Sequence, residues 1–461
     1  MGKIKQLYLE MFTDRDFYQQ MLKLALPIII QNFISSFLNM LDTVMVGRLG
    51  ETEIAAVGIA NQYFFFFNMF MFGLCAGCGV FISQFWGKGD LPNIKRILGI
   101  GLGSSIAFAL GFMILGLLVP GKIMALFNND PLVIRLGAKY LKIVLASYLF
   151  TSITFSYNFA LRSIGNTIQP MLISGLALVC NAFFNYLFIF GKMGAPAMGV
   201  EGAALATVIA RVVEASILVV VIYKGKGALA ASFKELTNLS LEFVKKSYRT
   251  ILPVILNDIC WGFGTMVYAA VYGRMGTQAV AAVQISNTVN NLFMVVIFGM
   301  SSAAAVMVGQ SIGAGQERIG KEYAKRFSIL AVVAGIGLGL LLATVSPLIL
   351  DMFNLSKLAR DYSQIILYII SVVFFIRVFD IILIVGILRG GGDARQALLI
   401  EGFTMWFIGV PLTILGAFVF KLPIYTVYAL ALLEEIAKGI LGIIRLKSGR
   451  WINNVTHNML V

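Results

Sequence analysis

Residues 25–50, ALPIIIQNFISSFLNMLDTVMVGRLG, and residues 251–276, ILPVILNDICWGFGTMVYAAVYGRMG, are two versions of one pattern. Laid together they put Gly47, Arg48 and Gly50 over Gly273, Arg274 and Gly276, a shift of 226 residues (273 less 47). From Pro27 to Gly89 the shift needs no gap and 19 of 63 positions are identical, among them Ala55, Ala56, Val57, Asn61, Gly73, Gln84, Gly87 and Gly89. A match of this length in one register marks an internal duplication. Farther on, LRSIGNT (161–167) answers LRGGGDA (388–394) with a shift of 227.

The duplicated material is apolar. The 461 residues are 59% hydrophobic and 13% charged, with a mean hydropathy of +0.89, values outside the range of soluble globular domains. Only an internally hydrogen-bonded segment survives in hydrocarbon, and about 18 apolar residues suffice to cross it as a helix. Twelve such segments are expected, at 20–46, 54–84, 97–119, 133–160, 168–190, 200–223, 250–272, 279–310, 327–350, 363–388, 397–420 and 424–445. The fold class is therefore an all-α polytopic membrane protein of two parallel six-helix repeats. The expected domains are an N-terminal bundle (1–223), a basic cytoplasmic linker (224–249) and a C-terminal bundle (250–461).

The formal net charge is +14, but the Lys and Arg fall mainly in loops, where they set topology rather than bind nucleic acid. Alternate loops hold about 23 against about 9, which places both termini in the cytoplasm of a cell-membrane protein. The N-terminal residues lack a cleavable signal pattern, and Gln6 stands where N-myristoylation after Gly2 needs Ser or Thr. The expected form is a monomer.

Asp42 ends a polar stripe. At 100° per residue Gln31, Ser35, Asn39 and Asp42 share one face, while Ile30, Phe33, Phe37 and Leu41 lie off it. A wet, inward-facing surface ending in a carboxylate suits ion coupling better than a charge merely reaching external water. Together with Asn61, Asn181 and Asn185, the stripe residues Gln31, Ser35 and Asn39 are candidate substrate contacts.

The repeat puts Tyr268 opposite Asp42, so the halves differ in chemistry. The second half instead carries Asp258, Arg377, Asp380, Glu401, Glu434, Glu435 and Lys438, with Asp258, Asp380, Glu401 and Glu435 each roughly 9–15 Å along its helix from a flanking Arg. Charges at one depth suggest handling of H+ or Na+. Against that, Arg377 with Asp380 and Glu434 with Lys438 are spaced for structural pairing, as are Arg211 and Glu214 in the first half. Asp258, Asp380 and Glu401 join Asp42 as ion-coupling candidates.

Other motifs carry less. Cys75 and Cys78 answer Ser301 and Ala304, so small-residue helix packing explains them better than redox chemistry. GGGD (390–393) matches the GxGD of intramembrane aspartyl proteases, but it falls in a short loop and reads as a flexible turn. The lone histidine, His457, is in the tail, which excludes a histidine-based metal site or triad within the membrane. Sequons at Asn238, Asn354 and Asn454 carry no weight. The run YFFFFNMFMF (63–72) reads chiefly as lipid contact, with a polarisable cavity wall as the alternative.

The stretches LDTVMVGRLGETEIAAVG, QFWGKGD, FALRSIGNTIQP, GVEGAALATVIAR, LPVILND, AAAVMVGQSIGAG, LIVGILRGGGDAR, MWFIGVP, LEEIAK and WINNVT run over nearly the whole chain. They resemble the multidrug and toxic compound extrusion (MATE) family, in its DinF-like bacterial branch. The resemblance implies a V-shaped pair of six-helix bundles exporting organic, often cationic, compounds in exchange for H+ or Na+, with no other cofactor. It also implies that the acid of the first helix, here Asp42, couples the ion. The second-half Glu that some branches place eight residues after the Pro falls at Trp261, so their Na+ site does not carry over intact. The DinF-like pattern implies Glu at Asp258, Asn at Asp380 and Asp at Glu401. The alternative function is a lipid-linked precursor flippase of the same fold, and an enzyme is not expected.

Overall fold

The computed structural model describes residues 14–353 and 355–459, apart from the side chains at 38, 39 and 458. Gly2, Gln6, Asn354 and the side chain of Asn39 lie outside the described residues.

The duplication is visible as geometry before it is visible as helices. Leu49 N donates to Val46 O at 3.0 Å, and Met275 N to Tyr272 O at 3.1 Å. Gly50 and Gly276 then take φ values of +152° and +114°, which a side chain would resist. In the later repeat Asn166 N donates to Leu161 O and Asp393 N to Leu388 O, both at 2.9 Å, around Gly165 (φ +89°) and Gly392 (φ +81°). The shared glycines therefore mark shared turns.

The helices are α1 (Arg15–Gly47), α2 (Glu51–Lys88), α3 (Leu91–Leu118), α4 (Pro131–Val144), α5 (Ala146–Ser163), α6 (Ile168–Phe190), α7 (Val200–Lys224), α8 (Phe233–Thr237), α9 (Leu241–Gly273), α10 (Thr277–Gly313), α11 (Glu317–Leu350), α12 (Lys357–Ile381), α13 (Ala394–Thr404), α14 (Val410–Ile414), α15 (Ile424–Ala431) and α16 (Leu433–Lys447), besides a short helix at Pro120–Ala125. Ten helical stretches among the described residues are long and apolar enough to cross a membrane. The other two expected spans are end-to-end pairs, α4 with α5 and α15 with α16. Backbone bonding runs through each joint, since Tyr148 N bonds Leu145 O at 3.0 Å and Glu435 N bonds Leu432 O at 3.1 Å. Many large apolar side chains, such as Phe37, Leu118, Leu172, Val179 and Phe407, stand exposed, as a hydrocarbon solvent permits.

Wide π-turns interrupt the second half at Ile382–Leu388, Met405–Gly409 and Leu415–Val419. Each contains a glycine against which something packs closely. A Cβ on Gly386 would lie 3.0 Å from Ser301 O, one on Gly409 2.0 Å from the Tyr268 hydroxyl, and one on Gly416 2.7 Å from Leu430. An inserted residue in a helix re-aims its side chains and is frequent at functional sites.

Packing divides the chain into two compact units, and their boundaries are not those of the expected bundles. The first unit is Pro27–Ile82 with Asp90–Tyr248. Its core gathers Phe67, Met71, Met124, Leu141, Leu145 and Tyr148. The basic 224–249 segment belongs to it: Ser232 and Glu235 form a capping box on α8, Lys95 bonds Glu235 at 2.7 Å, and a Cβ on Gly99 would lie 2.0 Å from Leu236 O.

The second unit takes the chain up to Leu26, Ser83–Gly89 and everything from Arg249. Asp14 pairs with Arg326 and Phe17 packs edge-on against Phe327, with centroids 5.1 Å apart. Residues 83–89 belong there because α2 crosses its repeat mate α10 at backbone contact. A Cβ on Gly87 would meet Gln310 O at 1.9 Å, and one on Gly313 would meet Gln84 O at the same distance. Gly87 answers Gly313 and Gln84 answers Gln310 at the shift of 226, so the contact is reciprocal. Cys78 stands 3.4 Å from where a Gly101 Cβ would lie, and all four cysteines are free thiols, in keeping with close helix packing.

In the 63–72 run only Phe65 and Phe72 are exposed, while Tyr63, Phe67, Met69 and Met71 are buried; the run builds the interior more than it meets lipid. GGGD is not a loose turn. Asn453 N bonds Gly391 O at 2.7 Å, Gln84 Nε2 bonds Gly390 O at 3.2 Å, and Cβ atoms on Gly391 and Gly392 would strike Trp451 and Asn453. Asp393 is held by Arg445 at 2.6 Å.

Candidate functional site

The first unit encloses a cavity of about 430 Å³. α1 delivers Asp42, one turn before the Gly47 end, because the polar stripe faces inward. α6 delivers Asn181 and Asn185, four residues apart and so on one face. Asn185 Nδ2 donates to Asp42 Oδ1. Asn181, with its amide turned to give the carboxylate a donor, places nitrogen 2.9 Å from Oδ1 and 3.2 Å from Oδ2. α2 adds Asn61, Phe64 and Phe65, α4 and α5 add Tyr140 and Tyr148, and α7 adds Thr207, Arg211 and Glu214. Phe64 and Tyr148 meet with ring centroids 5.4 Å apart. The Tyr148 hydroxyl is buried without a hydrogen bond among the described residues.

Asp42 thus has neutral partners. An amide offers both a donor and an acceptor, so the same two asparagines can serve a carboxylate or a carboxylic acid after rotation. Glu214 is different. It is 2% exposed, accepting from Arg211 Nη1 at 2.7 Å and from Ser174 Oγ at 2.7 Å.

Gln31 and Ser35 do not line the cavity. Gln31 is buried in a chain behind it, donating to Ser174 Oγ at 2.8 Å and accepting from Arg162 Nη2 at 2.7 Å. Ser35 Oγ returns to Gln31 O at 2.9 Å, a local back-bond that satisfies it in an apolar helix. The stripe therefore divides between a structural chain and a cavity wall. Of the six residues expected to touch substrate, Asn61, Asn181 and Asn185 share the cavity with Asp42.

In the second unit the ionisable residues meet mostly across helices, with Lys438 and Glu435 the exception at i, i+3, and the pairs expected from spacing, Arg377 with Asp380 and Glu434 with Lys438, are not the ones formed. Arg377 does not hold Asp380; its Nε lies 3.7 Å from Glu435. Lys438, 4% exposed, bonds Glu401 at 2.8 Å and Glu435 at 3.2 Å, and not Glu434, which accepts from the Tyr268 hydroxyl at 2.7 Å. Asp258 pairs with Arg389. Arg389, just before the GGGD turn, is 4% exposed. It answers Arg162 in the repeat, and both arginines clamp the first helix of their own half, Arg162 at Gln31 and Arg389 at Asp258, one residue beyond Asn257, the repeat mate of Gln31. Asp380 is 1% exposed and neither oxygen has a hydrogen-bond donor among the described residues.

Sequence reasoning passed over Tyr140, Tyr148, Thr207 and Phe64 as site residues and read Arg211 and Glu214 as a structural pair. A signal was present. Thr207, Arg211 and Glu214 recur at i, i+4 and i+7, one helix face. IAR (209–211) also answers IAK (436–438) at the shift of 227, which places a cation at equivalent positions of both halves.

A twelve-span duplicated helical fold with a polar cavity in one half defines a polytopic membrane transporter. The chain belongs to the MatE family, whose model matches residues 27–187 and 253–415, two blocks offset by the repeat. It is 27% identical over 436 residues to a probable multidrug resistance protein NorM of Thermotoga maritima, covering 94% of this chain and 93% of the relative. In fold it is similar to the Vibrio cholerae MATE transporter VcmN, with a TM-score of 0.87, 17% identity and coverage of 95% and 98%. It is also similar to a Pyrococcus furiosus MOP superfamily transporter described by reverse polarity of its binding pocket and a suggested different function. That TM-score is 0.83, with 19% identity and coverage of 94% and 96%.

Proposed function

We propose that the protein is a secondary active antiporter that exports organic, cationic compounds of varied structure in exchange for H+ or Na+, with Asp42 binding ion and substrate in turn. The supporting observation is the contrast within one cavity: Asp42 is met by the amides of Asn181 and Asn185, whereas Glu214 is already neutralised by Arg211. Asp42 is then the carboxylate whose charge an incoming cation can compensate. Aromatic walls from Phe64, Tyr140 and Tyr148 suit planar cations, which ring faces attract. Exchange of a proton or Na+ for the cation leaves the cavity charge unchanged, which makes the two occupants competitors.

The neighbour with a reversed pocket makes pocket polarity, not fold, the feature to argue from. A flippase for an anionic headgroup needs several unpaired cations in its cavity. Among the described residues lining this one the single cation is Arg211, and Glu214 engages it. In the second unit, Asp258 and Glu401 carry their own counter-ions, which makes them salt-bridge partners, and Asp380 is the candidate for additional coupling. The protein would work as a monomer in the cell membrane, with both termini cytoplasmic as the distribution of basic loops favours.

The test is purified protein in liposomes, loaded with a cationic dye and energised first by a pH gradient and then by a Na+ gradient alone. Asp42→Asn should keep the fold, judged by its elution and melting, and lose gradient-driven export. Export at the wild-type rate by Asp42→Asn would overturn the reading, and the gradient that drives the wild type identifies the ion.

A further inference from the structure

Beyond α16 the chain leaves its helix and runs over the crossing of α2 and α10. Gln84 of α2 is fully buried and gives its whole amide to that segment and to the turn beside it. Its Nε2 donates to Asn453 O and Gly390 O, both at 3.2 Å, and its Oε1 accepts from Val455 N at 2.9 Å. The same segment reaches α10, where Asn454 Nδ2 donates to Ile312 O at 3.3 Å. Trp451 and Thr456 are 2% and 1% exposed. Between the helices themselves, Gly87 and Gly313 set backbone against backbone, so no side chain interlocks at these two points to hold the crossing.

We propose that residues 451–456 are a releasable strap that holds the α2–α10 crossing closed, and that the transport cycle requires this strap to undock. This goes beyond the export reading and takes from it only that the two halves rearrange. α2 is one unbroken helix, yet its residues 51–82 pack in the first unit and 83–88 in the second. A change of access that moves one half of a duplicated transporter against the other therefore acts on the α2 end that Gln84 and the strap secure. The strap is suited to lifting as a piece. It is not helical, its bonds to α2 and α10 are between uncharged groups, the weaker kind, and water can replace them once it lifts. Segments of that sort open at lower free energy than a packed core. Its root is fixed by Arg445, which holds Asp393 and donates to Arg450 O at 2.9 Å. The device is also one-sided. At the shift of 227 Trp451 answers Lys224, and 224–227 are all exposed, so the first half leaves the corresponding stretch undocked.

The test places a thiol where the docked strap hides it. Thr456→Cys suits this, because the Thr456 bonds are to Asn454 inside the strap and the grip on Gln84 is untouched. The variant is reconstituted in liposomes and labelled with N-ethylmaleimide, which crosses the bilayer and reaches either face, with the parent chain as the background. Labelling should be slow without a gradient and rise about tenfold or more while a pH or Na+ gradient drives export of ethidium, since its rate follows the undocked population. Adding Gln84→Leu should make labelling fast with no gradient. Val455→Pro, which deletes the N–H given to Gln84 and leaves α2 unchanged, should do the same and guards against misfolding of the first variant. Slow labelling that stays flat while ethidium is exported would overturn the strap and leave the export reading standing. Labelling no faster in either variant than in Thr456→Cys alone would overturn it as well. If neither gradient drives export, the export reading falls; labelling that still rises with a gradient would keep the strap, and labelling that does not would remove both.

Discussion

Replacing Lys438 with Met tests whether the second-unit charges are a structural lattice. Lys438 Nζ sits 2.8 Å from Glu401 and 3.2 Å from Glu435, and its side chain is 5% exposed. Met keeps most of the volume and deletes the charge. Two buried carboxylates then share Arg377, whose Nε is 3.7 Å from Glu435 alone. Breaking a buried ion pair by removing one partner costs about 3–5 kcal/mol, since the other charge is left uncompensated. At roughly 2 °C per kcal/mol for a large domain, melting should fall by about 6–10 °C. The assay is thermal unfolding in mild detergent followed by fluorescence of the 4 tryptophans. Adding Glu401→Gln to Lys438→Met removes one stranded charge and should recover half the loss or more, although Glu401→Gln alone destabilises. That sign reversal identifies a direct pair. A Lys438→Met protein that melts with wild type, or a double variant no better than the single, would refute the lattice. Glu401→Gln, whose amide oxygen still accepts from Lys438, should retain gradient-driven export.

Two further outcomes follow from the polar groups of the first unit. Ser174→Ala removes a hydroxyl that joins Gln31 to Glu214, leaving a buried donor and one carboxylate oxygen unpaired at about 1–3 kcal/mol each. Denaturant titration should show the loss, Ser174→Thr should restore most of it, and an Ala variant as stable as wild type would remove the chain from the stability account. The linker contact responds to pH. Lys95, and then the backbone and hydroxyl of Ser232, hold the exposed Glu235 carboxyl down at about 2 from its ordinary 4.5. A depressed acid contributes stability above its ordinary pKa and loses it as pH falls toward the depressed one. Hydrogen exchange at 232–237 should therefore quicken between pH 4.5 and 2 relative to a Glu235→Gln control, and parallel profiles would deny the contact.

The turns and spans were legible in the sequence because they depend on local chemistry: glycines at positive φ, and apolar runs of membrane length. Close backbone crossings were half legible. Gly87 and Gly313 stood out as identities, but that each seats the other helix's carbonyl depends on how α2 and α10 meet. Asp42 with Asn181 and Asn185 could be nominated because amides and acids inside apolar spans are costly unless they face one another or water. The charge partners could not. Spacing along one helix ranks Asp380 as the neighbour of Arg377 and leaves Glu401 alone, whereas tertiary packing supplies Lys438 to Glu401 and Arg389 to Asp258.

The repeat explains why one cation became accessible and its counterpart did not. At the shift of 227, ISG (173–175) answers IEG (400–402), so Ser174 stands where the second half has Glu401. In the first half the serine donates to Glu214, and Arg211 is left with that one carboxylate to satisfy it. In the second half the glutamate adds to Glu435, and Lys438 is enclosed between two acids. One position thus sets whether the shared cation is consumed by structure or keeps donors free in a cavity. Ser174→Glu in the first half should supply Arg211 with a second acid partner, so that Arg211→Gln costs more stability in the Ser174→Glu background than in wild type, read as the coupling energy of a double-mutant cycle by thermal unfolding. An equal cost in both backgrounds would mean that the added acid does not pair with Arg211 and that the acid count around the cation is not what frees it.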